Sequence, residues 1–251
     1  MDDATALIQL GVNELVLTGI NLGTYANSGR DIYDVLRALL SLDDSVRIRI
    51  SSIEPTTIDD RLIELWQSYP NFCRHLHLPI QSGSDEILKK MRRKYTRSEY
   101  GAFVTSIASA IPNICIGTDV IVGFPGETND LFDDTAAFLS GLPIHYFHVF
   151  RYSERTMAHS RRFDHPVSSA DLKQRSHALR QLHGKKWAAF MHTQIGTTVP
   201  VLFEQKKQTL WHGSTDHFIK VRVASDAALK NHIQSVRLTG IEGDDMTGVL
   251  A

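Results

Sequence analysis

Cysteine is scarce: the chain's 251 residues include only two, Cys73 and Cys115. Two thiols in or beside apolar stretches make no disulfide framework. Their spacing matches no zinc or iron–sulfur motif, so both read as free buried residues. A reducing cytoplasm is the expected compartment. Long apolar runs are missing too. No stretch approaches a membrane span, and no signal-peptide pattern is present. Net charge is nearly absent, −1 with histidine neutral, so the chain as a whole does not advertise a nucleic-acid partner. The charges are unevenly spread, however. Residues 1–60 carry ten acidic and four basic side chains, against eighteen and twenty-three in residues 61–251. That split points weakly to an anionic partner on the later part. Repeats and low-complexity tracts are lacking. A composition of 42% hydrophobic and 22% charged residues suits one large globular domain, or a medium one with a small one.

What is present alternates. Helical periodicity is expected over residues 2–10, 32–42, 58–69, 85–91, 97–110 and 129–140. Strands are expected over residues 14–18, 46–52, 76–80, 114–122 and 144–150. Each strand ends in a polar or glycine-rich loop, the pattern of a parallel α/β sheet or barrel whose site lies at the C-terminal strand ends. No strand precedes the first helix, so strand 14–18 is expected to have an unpaired edge. Either the chain is a fragment, or a partner covers that edge. Residues 168–195 read as a basic helix with Leu172, Leu179, Leu182, Trp187 and Phe190 on its apolar side. From Gly196 the period becomes two, with strands at 198–204, 209–213, 218–223 and 235–240. A small β-barrel is the simplest outcome. The expected units are residues 1–167, 168–195 and 196–251.

Several stretches carry chemistry. In Gln81-Ser82-Gly83-Ser84, Ser82 or Ser84 is placed to cap the helix from Asp85, and Gly83 to allow a tight turn. In Ile121–Thr128, IVGFPGET, Gly123 and Gly126 let backbone amides approach a ligand, Pro125 stiffens the loop and Glu127 opens a helix. Arg92, Arg93 and Lys94 crowd at a helix end and suit a phosphate backbone. His75, His77, His145 and His148 alternate on strands and read as core or supporting histidines rather than a metal cluster.

Taken in order, ELVLTGINLGTY, RIRISSIEP, HLPIQSGSDEILKKMRRKYT, IVGFPGET and HVFRYS resemble the radical S-adenosylmethionine methylthiotransferases over nearly the whole chain. The β-rich tail resembles that family's TRAM domain. The resemblance implies an α/β fold: a partial (β/α) barrel lacking its first strand, followed by a small TRAM-like β-barrel. It also implies S-adenosylmethionine across the strand ends beside a 4Fe–4S cluster, a second cluster on an N-terminal domain, and methylthio transfer to tRNA. Carried over by position, Thr18, Gly19 and Asn21 would receive the methionine amino and carboxylate groups. Ser52, Glu54, Gln81 and Ser82 would face the ribose and methionine. Asp119, Gly123 and Glu127 would lie near the adenosine, and Phe150 and Tyr152 near the adenine. Asp119 reads equally well as a buried, hydrogen-bonded strand residue.

There are departures. The family's CxxxCxxC and its N-terminal domain are absent, and two cysteines cannot supply three thiolates, so this chain alone is expected to be inactive. The usual YSxRxGTxA reads YSERTMAHS, and Arg151 replaces a common proline. RISSIEP resembles the branch acting on threonylcarbamoyladenosine. Alternatives are the isopentenyladenosine or ribosomal-protein branches, an enzyme like the oxygen-independent coproporphyrinogen oxidases, and a non-catalytic RNA-binding protein.

Overall fold

A computed structural model describes residues 1–154, 163 and 166–251. Helix α1 (Asp2–Gln9) leads into β1 (Glu14–Leu17). A two-residue hairpin follows, β2 (Ala26–Asn27) and β3 (Arg30–Asp31), turning through Ser28 and Gly29 with φ of 51° and 76°. Asp31 then starts α2 (Ile32–Leu40). Its carboxylate accepts the amides of Tyr33 and Asp34, and Asp34 reaches back to the Asp31 amide, so orphan donors at both ends of the first turn are satisfied.

Next come β4 (Arg47–Ile50), α3 (Arg61–Ser68), β5 (His75–His77), α4 (Asp85–Lys90), α5 (Arg97–Ala110), β6 (Cys115–Val122), α6 (Asn129–Gly141) and β7 (Tyr146–Arg151). Helix α3 starts later than its periodicity suggests, because Pro55–Thr57 forms a 3-10 turn and Ile58 is extended. The ladder of β5 is short because Pro79 has no amide to donate. Ile80 gives its amide to the Thr118 hydroxyl instead.

Strands β1 and β4 pair in parallel, as do β5, β6 and β7. Bridges Ile48–Phe72 and Ser52–His77 join the two groups, so five parallel strands run in the order β1-β4-β5-β6-β7. Ile48, Ile50, Leu76, Ile116, Val120 and Phe147 face the helices and are almost fully buried against α2, α3 and α5. Burial of each such side chain contributes roughly 1.5–3 kcal/mol. Among the described residues β1 ladders only with β4, so its other edge is open. Helix α1 buries none of its own described side chains, and Leu7, Leu10, Val16 and Ile20 are exposed there.

Helix α7 (Ser169–Gln194) links two cores. Leu172, Ala178, Leu179 and Leu182 pack on the α/β core. Trp187, Phe190 and Met191 join a second core with Cys115, Tyr146 and the tail. The tail is a closed barrel of β8 (Thr198–Lys207), β9 (Leu210–Thr215), β10 (Lys220–Ala224), β11 (Ile233–Glu242) and β12 (Asp245–Leu250), in the order β10-β12-β11-β8-β9. Strand β12 is not among the expected strands. Gly248 lowers its strand propensity, but a Cβ there would meet Val236 at 2.4 Å, so the missing side chain is what lets β12 lie against β11.

Candidate functional site

Because side chains alternate along a strand, the residues between the core positions line the sheet's other face, the wall of a lumen. At its lower end Glu14 accepts from Arg47 at 2.7 Å and from Arg49 at 2.8 Å. Burial pushes the Glu14 carboxyl up. The two guanidinium groups outweigh that and hold it below its ordinary value. The arginines also donate to the tail. Arg47 reaches the carbonyls of Pro200 and Ser214, and Arg49 those of Thr215 and Asp216. Phe218, at φ 67°, places its ring 4.7 Å from the His75 ring. The β9–β10 turn is therefore the floor of the lumen.

Above the floor, His75 Nε2 lies 2.8 Å from the Tyr146 hydroxyl. Burial pushes His75 well below and Tyr146 well above its ordinary value. Gly117 makes room for this pair, since a Cβ there would sit 2.0 Å from the Tyr146 ring. One row higher stand Ser52, His77, Asp119 and His148. Ser52 Oγ is 2.6 Å from His77 Nδ1, and Asp119 Oδ1 is 3.2 Å from His148 Nδ1. His77 Nε2 also comes within 3.1 Å of Asp119 Oδ1, but too obliquely for a directed hydrogen bond. Burial raises the Asp119 carboxyl, and the imidazoles of His148 and His77 overcome this and leave it well below the carboxylate range. The pairing register explains the row: Asp119 faces His148, and Ser52 bridges His77.

The expected site residues divide here. Thr18, Gly19 and Asn21 lie on the open rim beyond β1, Asn21 Oδ1 3.4 Å from the Thr57 hydroxyl. Gln81, at φ 72°, bridges Val120 at the same end, and Phe150 is half-exposed at the mouth. Tyr152 follows β7, with Phe124 edge-on to its ring. Ser82 is fully buried, its hydroxyl accepting the Ser84 amide and facing Thr135. It does not cap α4. Ser84 occupies the N-cap position with no side-chain hydrogen bond among the described residues. Gly83 is needed for packing rather than for a left-handed turn, because a Cβ would meet Thr135 Cα at 2.8 Å; Gln81 takes the left-handed backbone. Glu127 turns away from the rim. It accepts the Gly123 amide and pairs with Arg175, both at 2.7 Å, and burial raises its pKa despite these partners. Glu54 pairs with Arg93 at 2.6 Å, joining two residues expected to act separately. Arg92 and Lys94 are exposed. In the motif YSERTMAHS, residues 155–160 lie outside the described residues.

Sequence reasoning did not single out Arg47, Arg49, Tyr146 or Arg175. It set His77 and His148 aside as supporting residues. Alternation showed which face they share, but not the register that puts both beside Asp119.

Five parallel strands with a polar rim at their C-terminal ends make an α/β sheet of the partial-barrel kind. Residues 1–139 match the family model of the Radical SAM superfamily, and the chain belongs to that superfamily. The structure of coproporphyrinogen III oxidase from Escherichia coli, a radical SAM enzyme, shares the fold with TM-score 0.53 at 18% identity. The match covers 77% of this chain and 46% of that one.

Among curated proteins, the chain is 37% identical over 227 residues to a threonylcarbamoyladenosine tRNA methylthiotransferase of Bacillus subtilis, covering 87% of this chain and 50% of the relative. It is 35% identical over 253 residues to a tRNA-2-methylthio-N(6)-dimethylallyladenosine synthase of Oceanobacillus iheyensis, covering 97% and 48%. The chain thus spans about half the length of the curated relatives it matches.

The superfamily implies S-adenosylmethionine and a 4Fe–4S cluster. The cluster does not fit the residues of this chain. Its two cysteines are both buried, burial pushes Cys73 up to about 12 and raises Cys115 as well, and two thiols are too few for the three thiolates of the resembled motif. For S-adenosylmethionine, the rim offers polar side chains beside the exposed apolar surfaces of Ile20 and Phe150. No helix among the described residues is long and apolar enough to cross a membrane.

Proposed function

We propose that this chain is the S-adenosylmethionine-binding and tail portion of a tRNA methylthiotransferase acting on threonylcarbamoyladenosine beside the anticodon. The observation that carries the reading is the Bacillus subtilis relative, whose similarity extends over 87% of the chain. Thr18, Gly19 and Asn21 would hold the methionine end of the cofactor, Ser52 and Gln81 its middle, and Phe150 and Tyr152 its adenine. Bound there, the cofactor would supply radical chemistry. The chain's own part is to orient the cofactor and to keep the lumen closed from below. Asp119 has its carboxylate between His77 and His148, so its contact with the adenosine is the least direct in the set. Gly123 and Glu127 would act by shaping the loop. Ser82 would act through the turn it supports, and Glu54 by holding Arg93.

A tRNA backbone would lie against Arg92 and Lys94. Arg92 closes α4 with φ 60°, its amide reaching Lys89 and the next amide reaching Leu88. Glycine is the usual residue in that geometry, so the arginine carries a backbone cost there. A cytoplasmic location and a further N-terminal segment carrying the clusters complete the reading.

The test is a tRNA-binding titration at several salt concentrations with Arg92→Gly and Lys94→Ala, leaving Arg93 to its ion pair. Each lost phosphate contact is expected to shallow the log–log salt slope by about one. Unchanged affinity and slope in the double variant would sink the RNA assignment. A second reading, the dimethylallyladenosine branch, is favoured by the Oceanobacillus iheyensis relative, which aligns over 97% of the chain. Competition between tRNAs bearing the two modified adenosines separates them, because the preferred substrate binds more tightly.

A further inference from the structure

We propose that His77, Asp119 and His148 form a binding site for a divalent transition-metal ion at the upper level of the lumen, with two imidazole ligands and one carboxylate. The inference is independent of the tRNA reading. One ligand atom from each residue lies within 4.8 Å of the other two. Asp119 Oδ1 is 3.1 Å from His77 Nε2 and 3.2 Å from His148 Nδ1. An ion bound at about 2.0–2.2 Å holds its ligand atoms roughly 3.3 Å apart, so both carboxylate–imidazole separations already match. The imidazole pair has to close further. His148 can do this by turning its ring, which is 57% exposed, while His77 and Asp119 stay on their strands.

The second observation is a buried imidazole nitrogen that faces the carboxylate without a directed hydrogen bond. The His77 side chain is only 8% exposed, and its Nε2 makes no hydrogen bond among the described residues. An ion held between the three side chains would give this nitrogen a directed partner, which the oblique Asp119 contact does not. The other ring nitrogen of His77 has a partner of its own. Nδ1 lies 2.6 Å from Ser52 Oγ. With the proton on Nδ1 donated to Ser52, the Nε2 lone pair points into the cluster. A hydrogen bond to the far nitrogen is the usual support of a metal-ligating imidazole.

The donor set decides the class of ion. Two imidazoles and one carboxylate suit Zn2+, Fe2+ or Co2+. Mg2+ and Ca2+ prefer all-oxygen shells, and Cu+ prefers sulfur. Three protein ligands leave coordination positions open, and Asp119 and His148 are the exposed side of the cluster. Those positions face the mouth of the lumen, within reach of a water or an oxygen or nitrogen donor on an incoming ligand.

The experiment uses the full chain, stripped with chelator and titrated with Co2+ while the visible d–d bands are recorded, then with Zn2+ to displace it. Stoichiometric Co2+ with the intense bands of a low-coordinate site is expected. His148→Ala removes an exposed ring, leaves the fold intact by circular dichroism and is expected to abolish those bands. Ser52→Ala is expected to weaken binding roughly 10- to 100-fold. His212→Ala, on the tail barrel, is expected to change nothing. Absence of stoichiometric binding in the wild type overturns the proposal and leaves a hydrogen-bonded cluster only. Equal binding in His148→Ala overturns it as well.

Discussion

At the scale of single residues, buried charges carry the clearest consequences. Arg175 on α7 donates to the carboxylate and carbonyl of Glu127 and to Asn129. It therefore anchors the GFPGET loop to the linking helix. Arg175→Met leaves the Glu127 carboxylate buried with only the Gly123 amide. The loss is expected to be about 3–5 kcal/mol. Urea denaturation checks it, and adding Glu127→Gln should recover part of the loss. Alongside the more deeply buried His75, His145 contributes to the acid limb. Burial, and next the Lys186 charge, lower its pKa to about 4, while its Nδ1 accepts the Ile116 amide. The unfolded imidazole takes a proton as pH falls through 6.5, and the folded one does so only near 4. This group therefore costs no stability above 6.5. Below that it costs up to about 1.4 kcal/mol per pH unit, levelling off near 4. His145→Asn keeps an acceptor for Ile116. It should flatten the decline between pH 6.5 and 4 in denaturant titrations and leave stability at pH 8 nearly unchanged.

At the scale of elements, the weak member is the pair α1–β1. Among the described residues, β1 has one laddered neighbour and α1 buries no side chain. Few apolar contacts hold the segment, so local opening there is expected to be easier than in β4, β5 and β6. Amide hydrogen exchange should be fastest in residues 1–25 of the α/β portion. Slow exchange there, matching β5, would mean another surface covers the edge. Gly117 gives a contrasting test inside the sheet. Gly117→Ala places a methyl group against the Tyr146 ring, at 2.0 Å in the unrelaxed structure. Overpacking of this kind typically costs about 1–3 kcal/mol and should lower the thermal midpoint.

At the scale of the whole molecule, the two parts of the chain are not independent modules. Four hydrogen bonds run from Arg47 and Arg49 to carbonyls of the tail. The C-terminal half of α7 shares its core with the tail barrel. A chain ending at Ile195 would leave both guanidinium groups short of partners and expose Phe190 and Met191. It is expected to unfold at lower temperature and to bind a hydrophobic dye, as scanning fluorimetry would report. A normal transition in the truncated chain would show that Glu14 and water suffice.

The sequence by itself determined the alternation of strands and helices, the strand-end position of the rim and the change to a β-barrel after Gly196. These follow from hydrophobic periodicity and from glycine and proline at the loops, which act over a few residues. It also determined that three cluster thiolates are lacking, a matter of counting. Only the tertiary structure decided that Asp119 stands beside His77 and His148, that Glu127 turns inward to Arg175, and that the β9–β10 turn floors the lumen. Period two tells which face a side chain takes. It does not tell which residue of the next strand lies opposite. That register, like the reach of Arg49 to carbonyls over 160 residues away, is set by packing of the whole chain, where desolvation makes buried charges seek whatever partner the fold brings near.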